Sequence, residues 1–231
     1  MKYPLKISRV IPCILLYLTS ILPVMAVNVG DLDRITLDIW YNLEPMVSLE
    51  GEEYPIPKEK AVKSLLKEAR IILSGMIYGY KFVYTPSDRA RKIKEFFQLT
   101  PISEIEWGDK NLSVLSTRTK NKRLYVKLAY RLMDFQKLRL KAWSSSKIPV
   151  AAGEGKASIF KGQSQRMVSL KNAIKNAIRN YLRPRVFNKP REIRGEALIW
   201  DSPYLITNNA MYITTIRIKL RVKGILPYRI F

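Results

Sequence analysis

Two patterns of different period follow one another twice along this chain, and they fix the fold class. Ile35, Leu37, Ile39, Tyr41 and Leu43 alternate with Thr36, Asp38, Trp40 and Asn42. Period two predicts a strand with one covered face. Val62, Leu65, Leu66, Ala69, Ile72, Leu73 and Met76 then recur at three and four. That stripe predicts an amphipathic helix over about 58–79, ending at glycine. A short helix is expected over 87–97, capped by Ser87 or Asp88 and stopped by Pro101. Strands over 112–117 and through Leu124, Val126, Leu128, Tyr130 and Leu132 should form a hairpin turning at Asn121.

The second half repeats the order with one helix fewer. A short strand is expected at 156–160. Met167, Leu170, Ile174, Ala177, Ile178, Tyr181 and Leu182 mark a helix that Pro184 stops. A strand over 193–200 and a turn region from Pro203 to Asn208 and Asn209 follow. A last strand alternates Ile216, Ile218, Leu220 and Val222 with Arg217, Lys219, Arg221 and Lys223. The fold class read here is α+β: two related β-α-β-β units, each a helix packed on a small antiparallel sheet. The expected division is a leader at 1–26, a first unit with an extra helix at 27–147, and a strongly basic second unit at 148–231.

Lys2, Lys6 and Arg9 precede an uncharged apolar run over residues 10–27, which closes on Val24, Met25 and Ala26. This is the pattern of a secretory signal, with cleavage expected after Ala26. The alternative is an uncleaved anchor, since the run approaches the ~20 residues that span a bilayer. Pro12 and Pro23 weaken a single helix there. Both readings export the rest of the chain, to the periplasm or cell envelope. Cys13 begins the apolar run, whereas a lipid-bearing cysteine follows one.

The chain has 41 Lys+Arg against 19 Asp+Glu, a formal charge of +22, one Cys and no His. A Ser-His-Asp triad, a Cys-His dyad and an internal disulfide are therefore excluded, and no metal or other cofactor is expected. The charge is uneven: residues 27–117 hold 12 basic and 14 acidic side chains, 118–147 hold 10 and 1, and 148–231 hold 16 and 4. Such a surface attracts polyanions, or is a solubility charge with no partner. The export signal disfavours nucleic acid.

The segment Gly155-Lys156-Ala157-Ser158-Ile159-Phe160-Lys161-Gly162, followed by Val168, Leu170, Ala173 and Ala177, resembles a pattern of bacterial envelope domains. These include the N-terminal domain of flagellar assembly protein T and related small secreted lipoproteins. The resemblance spans about residues 150–225 and, faintly, 35–135. Gln163 stands where that family often has Asp, and Met167 where it often has Ala. The resemblance implies a periplasmic assembly module, of the flagellar apparatus among others, and carries over no enzymatic residue. It also implies that Ala173 and Ala177 let the helix sit close on its sheet, and that Gly155 and Gly162 free the backbone at strand ends.

Gly153-Glu154-Gly155-Lys156-Ala157 lacks the first glycine of a phosphate loop, and Ala157 replaces its magnesium-holding hydroxyl. Glu50, Glu52, Glu53, Glu104, Glu106 and Asp109 are the carboxylates available for glycan hydrolysis, and they read as solvated loop residues. The stronger candidates are cations. Lys171, Lys175 and Arg179 lie four apart, opposite the helical stripe. Arg217, Lys219, Arg221 and Lys223 share one side of the last strand, and Arg123, Lys127 and Arg131 share one side of an earlier one, with Tyr125 among them. Like charges so arranged repel unless a counter-charge screens them. The expectation is a non-catalytic envelope scaffold whose basic sheet faces hold an acidic protein. A binding module for anionic wall polymer or lipid is the alternative, and the chain's own copies are a further candidate partner.

Overall fold

The computed structural model describes residues 33–47, 53–186 and 189–228. Its elements are β1 (Arg34–Asn42), α1 (Lys58–Ile77), β2 (Tyr80–Thr85), β3 (Phe96–Pro101), β4 (Leu112–Lys120), β5 (Arg123–Arg131), α2 (Asp134–Ser144), β6 (Val150–Ser158), α3 (Gln165–Leu182), β7 (Glu192–Ile199), β8 (Tyr204–Asn208) and β9 (Met211–Leu226). The fold is α+β, with every strand pair antiparallel. The expected leader and anchor lie outside the described residues. No described helix is long and apolar enough to cross a membrane.

The expected β1, α1, α3 and the β4–β5 hairpin form where the periodicities put them. Asn121 and Lys122 take φ of 48° and 60° in the hairpin turn, and Asn209 and Ala210 take 47° and 55° between β8 and β9. Paired positive φ values match the right-handed twist of flanking strands, which is why asparagine marks both turns.

The sheets do not follow the two halves. β1, β5 and β4 make a three-stranded sheet, while a six-stranded sheet runs β3-β2-β7-β9-β6 with β8 also paired to β9. β2 and β3 thus leave the first half and extend the sheet of the second, with Tyr80 opposite Ala197 and Tyr84 opposite Ile193. Residue 147 divides neither sheet from the other, and the halves are not two equal sheet-and-helix units. α1 packs on β1, β5 and β7, so it touches both sheets, and α3 covers β6 and β9. Their buried side chains merge in one core, from Leu37 and Leu65 to Ile174 and Ile218.

Two local expectations are corrected. The helix expected over 87–97 is a turn leading into β3: Asp88 and Ile93 form an antiparallel bridge, and the Asp88 carboxylate accepts from the Ala90 and Arg91 N–H groups. An acid that bonds N–H groups two and three residues on serves a turn as readily as a helix cap. The strand expected at 156–160 is longer and earlier, and 159–161 is a single 3-10 turn. α2 was not expected. Its inner face is Gln136, Leu140 and Trp143. The Gln136 side chain accepts from the Met133 N–H at 2.8 Å and donates to the Tyr78 hydroxyl at 2.7 Å.

Candidate functional site

A cleft of about 530 Å³ opens between the three-stranded sheet and the α1, α3 and β8 side of the molecule. Trp40, Tyr125, Lys127 and Arg118 form one wall, Tyr204 and Leu205 another, and Ile72, Met167 and Leu170 supply apolar surface. β1 and β5 set that first wall by register: Trp40 lies opposite Tyr125, and Asp38 opposite Lys127. Arg118 on β4 faces Tyr125 and holds its guanidinium 5.2 Å from the ring.

Glu68 and Arg166 also line this cleft, 98 residues apart in sequence. Arg166 Nε donates to Glu68 Oε2 at 3.0 Å, and the side chains are 3% and 11% exposed. The Arg166 guanidinium carbon lies 4.4 Å from the centre of the Trp40 ring, as does that of Arg123. Arg166 Nη1 is buried with no hydrogen-bond partner. A buried donor left unmade costs roughly 1–3 kcal/mol, so the arrangement retains an unspent positive donor beside the cleft. Burial pushes the Glu68 carboxyl above its ordinary value and outweighs the opposing pull of Arg166.

Sequence reasoning missed this pair, although its signal was present. Glu68 falls on the α1 stripe, three residues after Leu65, and Arg166 precedes Leu170 by four on the α3 stripe. A charge inside an apolar stripe is a buried charge, and a buried charge needs a partner.

The ten expected contact cations divide sharply. Lys219 is turned inward and is 5% exposed. Its ammonium donates to the carbonyls of Ser145 at 3.1 Å and Ile148 at 3.0 Å, and lies 5.0 Å from the Trp200 ring. It ties the end of α2 to β9 and is no surface cation. The strand neighbours Arg217, Arg221 and Lys223 are exposed but already paired: Arg217 with Asp201, Lys223 with Glu196 at 2.6 Å, and Arg221 with Glu196 at 4.0 Å while stacked over Trp143. Lys175 pairs with Glu95 at 2.8 Å. Arg123 is half-buried on Trp40 and bonds the Asn42 side chain at 2.9 Å. Lys127, Arg131, Lys171 and Arg179 are exposed and form no ion pair among the described residues. Of these, Lys127 faces the cleft.

Among the carboxylates considered for hydrolysis, Glu50 and Glu52 lie outside the described residues. Glu53, Glu104 and Glu106 are exposed, and Asp109 accepts from Asn111 and the Tyr130 hydroxyl. Among the described residues no group of three or more His, Cys, Asp or Glu could hold a metal ion.

A protein-family model matches residues 24–228. The chain belongs to that family. A protein of Treponema pallidum (strain Nichols), described as uncharacterized, is 22% identical over 197 residues, covering 85% of this chain and 83% of that protein. No solved structure matches.

Proposed function

We propose that this is an exported, non-catalytic assembly component of a cell envelope, of the flagellar apparatus in the reading the motif at 155–162 implies, and that it holds an acidic segment of a protein partner in the cleft. The observation that carries the reading is Arg166: a buried guanidinium with an unspent donor, lying beside a cleft whose wall adds Lys127 and Arg118. A carboxylate entering the cleft meets the exposed Lys127 and Arg118, which offer charge-assisted hydrogen bonds, with the buried Arg166 guanidinium adding its charge behind them. The rings of Trp40, Tyr125 and Tyr204 give the neighbouring apolar atoms a surface. Of the ten expected contact cations only Lys127 lines this cleft; Arg118 and Arg166 join it there.

A photo-crosslinker at position 127 in intact cells tests it. The expected adduct is an acidic envelope protein, lost with R118E/K127E. Adducts confined to wall glycan or lipid overturn it. One observation favours the polymer reading instead: Arg131, Lys171 and Arg179 are exposed cations that form no ion pair among the described residues. Sedimentation with wall material that weakens with salt and persists in R118E/K127E is its signature.

A further inference from the structure

α2 carries a second apolar face that nothing among the described residues covers. Phe135, Leu138 and Ala142 recur at three and four and point outward, with Phe135 55% and Leu138 68% exposed. The inner face of the same helix is already committed to the core through Leu140 and Trp143. An outward stripe of this kind costs solubility unless something apolar meets it.

Two observations name the occupant. The first is charge: Lys141 lies on α2 and Arg131 and Lys147 flank it, all without an ion pair among the described residues, while Lys137 is held by Asp33. The second is tether length. Asp33, the first described residue, pairs with Lys137 at 2.7 Å, and its carbonyl accepts from the Leu132 N–H at 2.9 Å. Residues 28–32 alone separate it in sequence from the apolar run at 10–27. That length reaches at most about 20 Å. Where the run is kept as the uncleaved anchor rather than removed after Ala26, α2 is held within that reach of the bilayer surface.

We propose that α2 lies flat on an anionic membrane surface, with Phe135 and Leu138 entering the acyl boundary and the lysines meeting headgroup phosphates. An amphipathic helix with aromatic and leucine side chains on one face and cations beside it binds such a surface in this way. The contact is separate from the cleft and stands whether or not a protein occupies it.

The full chain, reconstituted into vesicles of phosphatidylglycerol and phosphatidylcholine or of phosphatidylcholine alone, decides the point. A nitroxide is placed at L138C in a C13S background, with K171C on α3 as the reference. The expected result is a severalfold loss of broadening by an aqueous paramagnetic chelate at position 138, with a matching rise in oxygen collisions. It should be weakened without phosphatidylglycerol and absent at position 171. Equal exposure of positions 138 and 171 overturns the proposal. Shielding without a rise in oxygen collisions also overturns it, because another segment or copy of the chain then covers the stripe. A nitroxide at A142C in the F135D/L138D variant should return to the aqueous reading, and its failure to do so overturns the assignment to these two side chains.

Discussion

Glu68 is a carboxylate that burial handicaps and a single guanidinium only partly rescues. Its folded value lies above its ordinary 4.5, so the folded chain binds the proton more tightly than the unfolded one. Stability from this group is then fully present below about 4.5 and is lost as pH rises through the folded value. Against E68Q, the wild type should lose relative stability as the pH of chemical denaturation rises above about 4.5. A relative gain would mean that Arg166 wins over desolvation. Lys219 tests a different buried charge. Its ammonium donates to the Ser145 carbonyl at the end of α2 and to the Ile148 carbonyl in the loop before β6. K219M leaves the Ile148 carbonyl without its donor, while Ser145 keeps the Ile148 N–H, and should cost about 2 kcal/mol. R217E, at an exposed pair, should cost about 1 kcal/mol or less. Equal losses by urea titration would place Lys219 at the surface after all.

At the scale of elements, the contact between β6 and α3 rests on missing atoms. A β-carbon on Gly155 would stand 2.1 Å from the Ala173 nitrogen and the Ser169 oxygen, and one on Gly153 would stand 2.3 Å from the Ala177 nitrogen. Gly155 therefore serves close approach, and of the two glycines named for backbone freedom only Gly162 has positive φ, at 81°. G155A should destabilise by about 3 kcal/mol, since backbone on the far side cannot yield as a side chain can. A change under about 0.5 kcal/mol in thermal or urea unfolding would show that the helix lifts freely. Half of this contact was legible: the resemblance implied close packing through Ala173 and Ala177, whereas the part of Gly153 and Gly155 on the sheet side went unread, because a glycine in a strand reads equally as backbone freedom. α2 was not legible. Phe135 and Leu138 on its outside and Leu140 and Trp143 on its inside blur the single stripe by which a helix is recognised. β2 was legible but unread: Tyr80, Phe82 and Tyr84 alternate with Lys81, Val83 and Thr85, and all three aromatics are buried. The cleft needed two buried charges, one on each helix stripe, to be paired across 98 residues. No local pattern chooses that pairing.

For the whole molecule, the question is whether the chain divides at 147. β7 has β9 on one side and β2 on the other, and Gly195 sits against the Phe82 ring and the Arg221 carbonyl. Cutting at 147 removes β2 from that edge and strips α1 from Leu198 and its neighbours, which are fully buried in the intact chain. It also removes Ser145, whose carbonyl Lys219 bonds, leaving a buried ammonium short of acceptors. An uncovered apolar sheet edge and an unmet charge are each enough to defeat a unit of this size. Residues 148–231 alone should therefore give poor amide dispersion and no cooperative thermal transition. Coexpression with 27–147 should restore one transition, because the six-stranded sheet is completed by strands from both pieces. If 148–231 melts cooperatively by itself, β2 and β3 decorate a finished domain, and the single core running through both sheets is a contact between two independent folds.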